Sequence, residues 1–431
     1  MNIVLLTPGT GSYHCGVCMR DNALAKELIR LGHHAVMLPM YLPLTLDESA
    51  ASPETPIFFG GVSTYLREKF PFFRKMPRWL DRLLSARPLL RLLAGKAART
   101  GGPEVAGMTL SMLRGELGNQ ASEIEELITW LRVAFDGKKP DAVWLSTALQ
   151  AGLARRIRAE LDIPVIGFLQ GEDSFLDGLG SAANQAWALL SARMLDATAW
   201  VAPSRFYADL MARRLAWPAG KLHVIPNGVA IPEPLPRDPQ LTIGYLARFV
   251  PGKGIGLLIE AFIILHAEMP EVRLRCAGSM TSDDARYVET LKARLHTAGC
   301  AEKVEWLPNV TLAEKQAFLA SVTVFSVPAT YSEAFGMYAI EALAAGTPVV
   351  LPELSAFPEI VNASGGGVLF SPGENDRAFA KNLATALMSL LRDPSRTQAL
   401  GAAARAAALR EFSMTRLAER LVELSRSCGL P

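Results

Sequence analysis

Val322–Val350, which reads VTVFSVPATYSEAFGMYAIEALAAGTPVV, is the stretch of this 431-residue chain that decides its fold. It begins with a mainly apolar run that predicts a buried strand, Val322–Val327, and it ends in a second predicted strand, Val349–Leu351. Between them lies a loop that runs into a predicted helix, whose first turn contains Gly336. A strand, a helix and a strand in this order are typical of a parallel sheet covered by helices.

The same alternation extends through the second half of the chain. The strands and the helix predicted ahead of this stretch are Leu241–Leu246, Ile255–Glu268, Arg273–Ala277 and Val304–Leu307. Before them, Ile231–Pro236 reads IPEPLP, and a run this rich in proline cannot continue a helix or a central strand, so we interpret it as a linker. The alanine-rich tail, Gly401–Cys428, is helical by propensity, with Ser413 as the candidate cap of the last helix.

The first half of the chain shows strands and helices in alternation as well. The predicted elements are Ile3–Thr7, Val36–Pro39, Ala142–Ser146, Val165–Leu169 and Ala199–Ala202 as strands and Met19–Leu31 as a helix. Two doubly wound, Rossmann-like α/β lobes are therefore expected, facing each other across a cleft that holds the ligand. We expect the lobes at 1–232 and 233–412, an insertion at about 45–139, and a C-terminal helix at 413–431 that returns to the first lobe.

The composition bounds the class of protein. Hydrophobic residues make up 50% of the chain and charged residues 20%, with a mean hydropathy of +0.20, so large buried cores are expected. The 44 basic and 42 acidic side chains nearly cancel, and a net charge of +2 does not call for nucleic acid as a partner. Five scattered cysteines, with no secretory leader and no apolar run long enough to span a membrane, favour a cytoplasmic protein.

The insertion carries a strongly basic segment at about 67–99. Ten of its side chains are basic and two, Glu68 and Asp81, are acidic, which leaves a local excess of +8. One interpretation is a peripheral surface that contacts anionic lipid at the inner face of the membrane, or an acidic acceptor, with Trp79 among its interfacial anchors. The other interpretation is ordinary helical packing with a solvated charged face.

The loop after the strand Leu241–Leu246 carries two cations that suit a diphosphate. It contains Arg248 and Lys253, just ahead of the N-terminus of the predicted helix Ile255–Glu268. A forked guanidinium and an ammonium in that place neutralise phosphate oxygens, and the first amides of a helix add donors. A surface turn with two solvated cations is the alternative interpretation.

Two carboxylates in the Val322–Val350 stretch are suited to bind the hydroxyl groups of a ligand that also carries a diphosphate. Glu333 is predicted at the mouth of the loop, and Glu341, eight residues further on, is expected one to two helical turns deeper. Gly336 lets a ligand approach the free amides of the first helical turn. Carboxylates that accept from sugar hydroxyls, with amides and cations for phosphate, describe a sugar diphosphate site. In the alternative, Glu333 is a helix cap and Glu341 a partly buried ion-pair partner.

Four motifs taken together resemble the family-four glycosyltransferases of the GT-B fold. They are the segment from Glu333 to Glu341, the loop from Arg248 to Lys253, IPNGV at 225–229 and GTPVV at 346–350. The resemblance implies a retaining transferase that needs no metal or other cofactor and moves a sugar from a nucleotide diphosphate sugar to a hydroxyl acceptor. The C-terminal lobe would hold the donor. The N-terminal lobe would hold the acceptor, which is expected to be a sugar, a lipid-linked sugar or a small molecule.

The resemblance also implies a role for each matching residue. Glu333 matches the carboxylate that faces the donor sugar, and Arg248 and Lys253 match the catalytic cations on the diphosphate. The matching donor-binding residues are Gly16, Phe335, Gly336, Met337 and Glu341. By this resemblance, the loop that contains Gly16 would approach the phosphate, and the amides of 335–337 would donate to phosphate or sugar oxygens. The carboxylate of Glu341 would bind the nucleotide ribose. The leaving phosphate is expected to take the proton of the acceptor.

The chain departs from the family pattern at Gln170, where the family commonly has a histidine. Glutamine can replace the hydrogen bonds of a histidine but not its titration. Glu172 and Asp173 follow it and are, with Gln170, candidates for contacts with the donor sugar or the acceptor; a helix N-cap at Asp173 is the alternative. A second departure is Ala230, where an aspartate often follows the IPNGV turn.

Other functions stay open at this point. A sugar-nucleotide epimerase or a phosphorylase can be built on the same paired lobes, and so can a non-catalytic subunit that binds a sugar nucleotide. If the chain is a non-catalytic subunit, we expect it to bind the donor without the slow donor hydrolysis that is typical of a transferase. Metal chemistry is not expected, because the Cys-x-x-Cys spacing of Cys15 and Cys18 has no second cysteine pair to complete a four-ligand site.

Overall fold

The computed structural model describes residues 1–9, 16–42, 46, 49–52, 55–58, 102–217, 221–236, 238 and 240–429. The chain divides into two compact units, one formed by Met1–Ile225 with Leu417–Pro431 and the other by Pro226–Arg416. The basic segment at about 67–99, for which membrane contact is one of the two interpretations, lies outside the described residues, and so does Cys15. Within the described ranges, no helix is long and apolar enough to cross a membrane.

The first unit contains a parallel sheet with helices in its connections. Its strands and helices are β1 (Asn2–Thr7), α1 (Gly16–Arg30), β2 (His34–Pro39), α2 (Gly102–Arg114), α3 (Ala121–Leu131), β3 (Ala142–Leu145), α4 (Ala154–Leu161), β4 (Val165–Phe168), α5 (Glu172–Asp177), α6 (Ala183–Met194), β5 (Ala199–Ala202), α7 (Arg205–Leu215) and β6 (Leu222–Val224). Among the described residues the sheet has six strands in the order β2-β1-β3-β4-β5-β6.

The second unit repeats this architecture. Its elements are β7 (Thr242–Leu246), α8 (Ile255–Glu268), β8 (Arg273–Gly278), α9 (Ser282–Thr297), β9 (Val304–Pro308), α10 (Leu312–Ser321), β10 (Val324–Phe325), α11 (Met337–Ala344), β11 (Val349–Pro352), α12 (Phe357–Ser364), β12 (Gly367–Phe370), α13 (Asp376–Leu391) and α14 (Pro394–Glu411). The described part of its sheet has six parallel strands in the order β12-β11-β10-β7-β8-β9. The predicted α/β class with two parallel sheets is thus confirmed.

The strand order of the second unit identifies the edge of the sheet at which such folds bind ligands. The chain winds outward from β7 to β9 in one direction and then returns to the centre to place β10 on the other side of β7, with Phe325 opposite Gly244. Ligands of such sheets bind beyond the carboxyl ends of the strands at the point where the order reverses. The loops that follow β7 and β10 both start there, and they carry the predicted diphosphate cations and Glu333.

The last helix, α15 (Met414–Gly429), lies mostly in the first unit. Trp144 on β3 is fully buried, and its indole Nε1 donates to Ser425 Oγ of α15 at 3.0 Å. The backbone N–H of Arg416 donates to Ser413 Oγ at 3.2 Å, so the predicted helix cap is confirmed. The end of the chain therefore completes the unit that its beginning starts.

The structure differs from the predicted strands at three places. The strand predicted at Val322–Val327 is only the two-residue β10, although the backbone amide of Ser326 still donates to Gly244; Pro328 has no amide to continue the pairing. The strands β6 and β12 were not predicted. The side chains of β6 are only partly buried, and β12 starts among glycines, so neither shows a continuous apolar run.

Candidate functional site

Two loops of the second unit meet at the strand reversal. The loop after β7 carries Arg248 and then a single 3-10 turn that contains Lys253. The loop after β10 carries Glu333 and leads into α11. The backbone N–H of Thr330 donates to the carbonyl oxygen of Gly252 at 3.1 Å, so the two loops are joined directly.

Glu333 is the centre of a compact cluster. Its Oε2 atom accepts hydrogen bonds from Lys253 Nζ at 2.7 Å and from the hydroxyls of Tyr331 and Tyr338, each at 2.8 Å. We call these four residues the Glu333 cluster. The Glu333 side chain is 13% exposed and that of Lys253 is 20% exposed, so the pair is shielded but still reachable from solvent. Since the charges are close and partly shielded from water, their Coulomb attraction is larger than at an open surface.

Lys253 is held by aromatic rings as well as by the carboxylate. Its Nζ lies 4.7 Å from the ring centroid of Tyr331 and 5.0 Å from that of Tyr338. Both distances lie within the range in which an ammonium is attracted to an aromatic face. Burial, together with the Glu333 charge, holds the pKa of the Tyr338 hydroxyl well above its ordinary value, so this hydroxyl remains a hydrogen-bond donor at neutral pH.

Arg248 is fixed by a carboxylate on the neighbouring helix α9. Its Nε and Nη2 atoms donate to Asp284 Oδ2 and Oδ1, both at 3.1 Å, and half of the arginine side chain is exposed. Asp284 is fixed in turn, because Thr281 donates to it from its backbone amide and its hydroxyl in a capping box. Burial acts to raise the pKa of Asp284, but the hydrogen bonds from Arg248 and Thr281 outweigh it and hold the pKa below its usual range.

Glu341 stands apart from the Glu333 cluster. It lies on α11, and its Oε1 atom accepts a hydrogen bond from Lys315 Nζ of α10 at 2.8 Å. Both side chains are about one-fifth exposed. One end of the carboxylate is therefore fixed by a lysine, while its other oxygen has no hydrogen-bond donor within the part of the chain that the structure describes.

Backbone conformation brings the two loops close together. Gly336 has a φ of 95° immediately before α11, and a Cβ there would lie 3.0 Å from the Phe357 ring. Gly254 has a φ of 74° before α8, and a Cβ there would lie 1.9 Å from the carbonyl oxygen of Pro328. Only glycine tolerates both the conformation and the contact at these points. The first-turn amides at 336–338 lack intrahelical partners, as at every helix start.

The predicted residues of the first unit lie beyond β4 and at the start of α1. Glu172 is buried: its Oε1 accepts from the Thr147 hydroxyl and the Ala148 amide, and its Oε2 from the Gln170 amide. Asp173 Oδ1 accepts from the Tyr207 hydroxyl at 3.0 Å. The alternative of an N-cap at Asp173 is wrong, because the left-handed Gly171 precedes α5 and Asp173 lies inside its first turn.

Gln170 and Gly16 make few contacts. The side chain of Gln170 is partly buried and forms no hydrogen bond within the described residues. Gly16 is the exposed first residue of α1, and a Cβ there would meet no atom of the described chain within 4 Å.

Phe335 is 5% exposed and packs edge-on against Phe412. Across the described ranges, no group of three or more His, Cys, Asp or Glu side chains is arranged to hold a metal ion.

Sequence reasoning missed the partners of the predicted residues. Each of these partners bonds to at least one of them: Tyr331, Tyr338, Asp284, Lys315 and Tyr207. A local signal existed only for Asp284, since a threonine three residues before an acidic residue is typical of a helix start. Tyr338 sits within an apolar helical run, where an aromatic side chain is normally part of the core. The others are set by tertiary packing.

Two family models match the chain. A model described as "Glycosyl transferases group 1" matches residues 230–407, and one described as "Glycosyl transferase 4-like domain" matches residues 20–228. Together they cover most of both units.

Two relatives illustrate the similarity in sequence. An alpha-maltose-1-phosphate synthase of Mycolicibacterium smegmatis is 29% identical over 237 residues, which is 51% of this chain and 60% of that protein. A phosphatidyl-myo-inositol mannosyltransferase of Mycobacterium leprae is 32% identical over 178 residues, covering 39% of this chain and 44% of that protein. The chain thus spans about half the length of the curated relatives it matches.

Solved structures share the fold along the whole chain. Sucrose-phosphate synthase from Thermosynechococcus elongatus superposes with a TM-score of 0.68 at 18% identity, over 99% of this chain and 98% of that one. Anabaena HepE in complex with UDP-glucose superposes with a TM-score of 0.64 at 17% identity, over 99% of this chain and 100% of that one. At such identity the likeness concerns the fold.

Proposed function

Because the chain belongs to the group 1 and 4-like glycosyltransferases of the GT-B fold, we propose that it transfers a sugar from a nucleotide diphosphate sugar to a hydroxyl acceptor. The observation that carries this proposal is the contact between Lys253 and Glu333 at the strand reversal of one sheet, on two joined loops of which one also carries Arg248. Two cations suited to a diphosphate and a carboxylate suited to sugar hydroxyls on these loops support the proposed donor.

Arg248 is suited to bind a phosphate while it stays paired to Asp284. The carboxylate occupies Nε and Nη2, so the Nη1 amino group of this half-exposed side chain is left for phosphate oxygens. Lys253 adds a second positive charge on the same loop. We propose that the two cations stabilise the charge that grows on the leaving diphosphate and so take the part that a divalent metal plays elsewhere.

The remaining donor-binding roles follow the family pattern. Glu341, with one oxygen fixed by Lys315, would accept from the ribose hydroxyls. The amides of 335–337 would receive phosphate or sugar oxygens at the start of α11, and Gly16 would let the backbone of α1 approach the phosphate.

We propose that transfer retains the anomeric configuration and that the leaving phosphate takes the acceptor proton. Support comes from the family pattern that the segment from Glu333 to Glu341 resembles. The three donors on Oε2 fix the Glu333 carboxylate in place. We assign Glu333 the role of orienting the donor sugar and balancing positive charge at its reacting carbon.

The acceptor is proposed to contact the first unit beyond β4. Asp173, held by Tyr207, and Gln170 offer polar atoms there. The oxygens of Glu172 instead accept from the Thr147 hydroxyl and from two backbone amides. We propose a sugar, a lipid-linked sugar or a small molecule as the acceptor. The name of the Mycobacterium leprae relative specifies a phosphatidyl-inositol acceptor for that protein. For this chain, a lipid-linked acceptor would fit the basic segment at 67–99, and sedimentation with anionic but not neutral vesicles would support that contact.

Donor hydrolysis tests the proposed function without a known acceptor. We expect slow release of free sugar from one member of a panel of UDP, GDP, ADP and dTDP sugars, with the released sugar initially in the donor's anomeric form and the rate unchanged by EDTA. The panel is followed by NMR of the anomeric proton. Tight binding of a donor without any hydrolysis would instead indicate a non-catalytic binder, and a loss of activity in EDTA would contradict the proposed metal independence.

The diphosphate assignment makes a separate prediction. Arg248→Ala and Lys253→Ala should each weaken the binding of the preferred nucleoside diphosphate by about 10- to 100-fold, because each removes a charge-assisted hydrogen bond. Isothermal titration with UDP, GDP and ADP measures the effect. Arg286→Ala is the matched control, since this exposed arginine lies on α9 near Asp284 and has no polar contact in the described chain. Wild-type affinity in both test variants would contradict the assignment.

A further inference from the structure

The hydrogen bonds of the Glu333 cluster are unevenly divided between the two carboxylate oxygens. Three donors converge on Oε2, while no described residue donates to Oε1. A carboxylate oxygen has two lone pairs, so Oε2 has no acceptor capacity left for a ligand. Any sugar hydroxyl that meets Glu333 must therefore meet Oε1.

The two tyrosines define the direction in which Oε1 points. A lysine ammonium on a flexible stem can follow a moving carboxylate, but a phenol hydroxyl is confined to the plane and position of its ring. The Tyr338 ring lies 6.4 Å from that of Phe325 and 6.3 Å from that of Phe357, and the residue is only 8% exposed. It also sits in the first turn of α11, whose backbone is fixed by the helix. Its hydroxyl is thus the most rigid of the three donors.

We propose that Tyr338, assisted by Tyr331, is a positioning residue of the transfer reaction, which holds Oε2 of Glu333 so that Oε1 alone faces the donor sugar. This inference rests on the proposed function for its kinetic consequence. Neither hydroxyl touches the ligand; both act through Glu333. Rotation of the carboxylate would break three hydrogen bonds at once, so the orientation of Oε1 is set before the donor arrives.

Positioning of this kind predicts a change in rate with little change in nucleotide binding. The two hydroxyls contact Glu333, whereas the diphosphate is assigned to Arg248, Lys253 and backbone amides. Tyr338→Phe keeps the ring beside Lys253 and removes only the oxygen, so the charge of the site is unchanged. Without the tyrosine hydroxyl, Oε1 of Glu333 is held less firmly. Its contacts with the donor sugar then become weaker, and the loss is greatest in the transition state.

The experiment compares Tyr338→Phe, Tyr331→Phe and the double variant with wild type, using the sugar nucleotide that wild type hydrolyses. We expect kcat to fall about tenfold in each single variant and about 100-fold in the double variant, as the loss of one or two hydrogen bonds to a charged group implies. The affinity for the corresponding nucleoside diphosphate should stay within about twofold of wild type. Tyr287→Phe is the matched control, because this half-buried tyrosine on α9 bonds to the Gly256 backbone and not to Glu333.

A crystal structure of Tyr338→Phe provides a readout that does not require activity. We expect the Glu333 carboxylate to rotate or to adopt more than one conformation. A carboxylate that keeps its place against Lys253, or a variant with wild-type kcat, would overturn the inference. An equal loss of nucleoside diphosphate affinity and kcat, with a lowered melting temperature, would also overturn it in favour of a purely structural role. Failure of wild type to hydrolyse any donor would count against the proposed function, while the crystal structure would still decide the role of Tyr338.

Discussion

Glu333→Gln should lower donor turnover by about a thousandfold and leave the fold intact. Glutamine has nearly the same shape, but it offers one acceptor oxygen and a donating NH₂ group in place of two acceptor oxygens. If the amide oxygen takes the place of Oε2 among Lys253, Tyr331 and Tyr338, the NH₂ group faces the donor sugar. The site then loses both an acceptor and the negative charge that balances the reacting carbon.

The measurement is donor hydrolysis together with a melting curve. Glu289→Gln is the matched control, since it removes the carboxylate of a Glu–Lys pair of similar length, 2.8 Å, that lies exposed on α9. An exposed pair of this kind contributes little to stability. If Glu333→Gln retained wild-type turnover, the assignment of Glu333 to the donor site would be wrong. If both variants lost activity, the loss could not be assigned to the chemistry of the Glu333 cluster.

Gly254→Ala should lower the free energy of unfolding by about 4 kcal/mol, a value in the upper range for single substitutions. The left-handed conformation alone disfavours alanine by about 1 kcal/mol. The larger contribution comes from the carbonyl oxygen of Pro328, which lies 1.9 Å from the place of the new Cβ. Because this oxygen belongs to the backbone, the loop that carries Lys253 must move away from the loop that carries Glu333. Donor turnover should therefore fall as well.

Gly299→Ala separates the two contributions. Gly299 has a φ of 71°, close to that of Gly254, but a Cβ there would meet no described atom within 4 Å. Its replacement should cost only about 1 kcal/mol, which reflects the backbone conformation alone. Urea unfolding of the two variants measures the difference. Equal destabilisation by both substitutions would show that the approach of the two loops contributes nothing.

Much of the fold was predictable because the residues that start and stop each element agree with the pattern of buried apolar residues. The helix α8 begins at Ile255 and ends at Glu268 as the sequence indicates, since Gly254 stops the preceding turn and the helix is apolar almost throughout. The strand β10 was overestimated because an apolar run shows burial but not pairing. The strands β6 and β12 lie at sheet edges, where partial exposure and glycines leave no periodic pattern.

The candidate site was predictable in its charged residues but not in its geometry. Arg248, Lys253 and Glu333 follow strands, and parallel strands that neighbour each other bring their following loops together. Nothing in the sequence indicates that Tyr338 bonds to Glu333 or that Asp284 bonds to Arg248. The members of each pair come into contact only because the elements that carry them pack together. The structure places these residues, and their assigned roles stay predictions until the variants are measured.

The helix α15 has a consequence for the order of folding during synthesis. The first unit is encoded almost entirely before residue 226, yet the buried indole of Trp144 receives its partner, Ser425, from the far end of the chain. A ribosome must therefore translate the whole second unit before the first can close. Until then the buried indole N–H of Trp144 lacks its partner, and a chain that ends early leaves the first unit without its last helix.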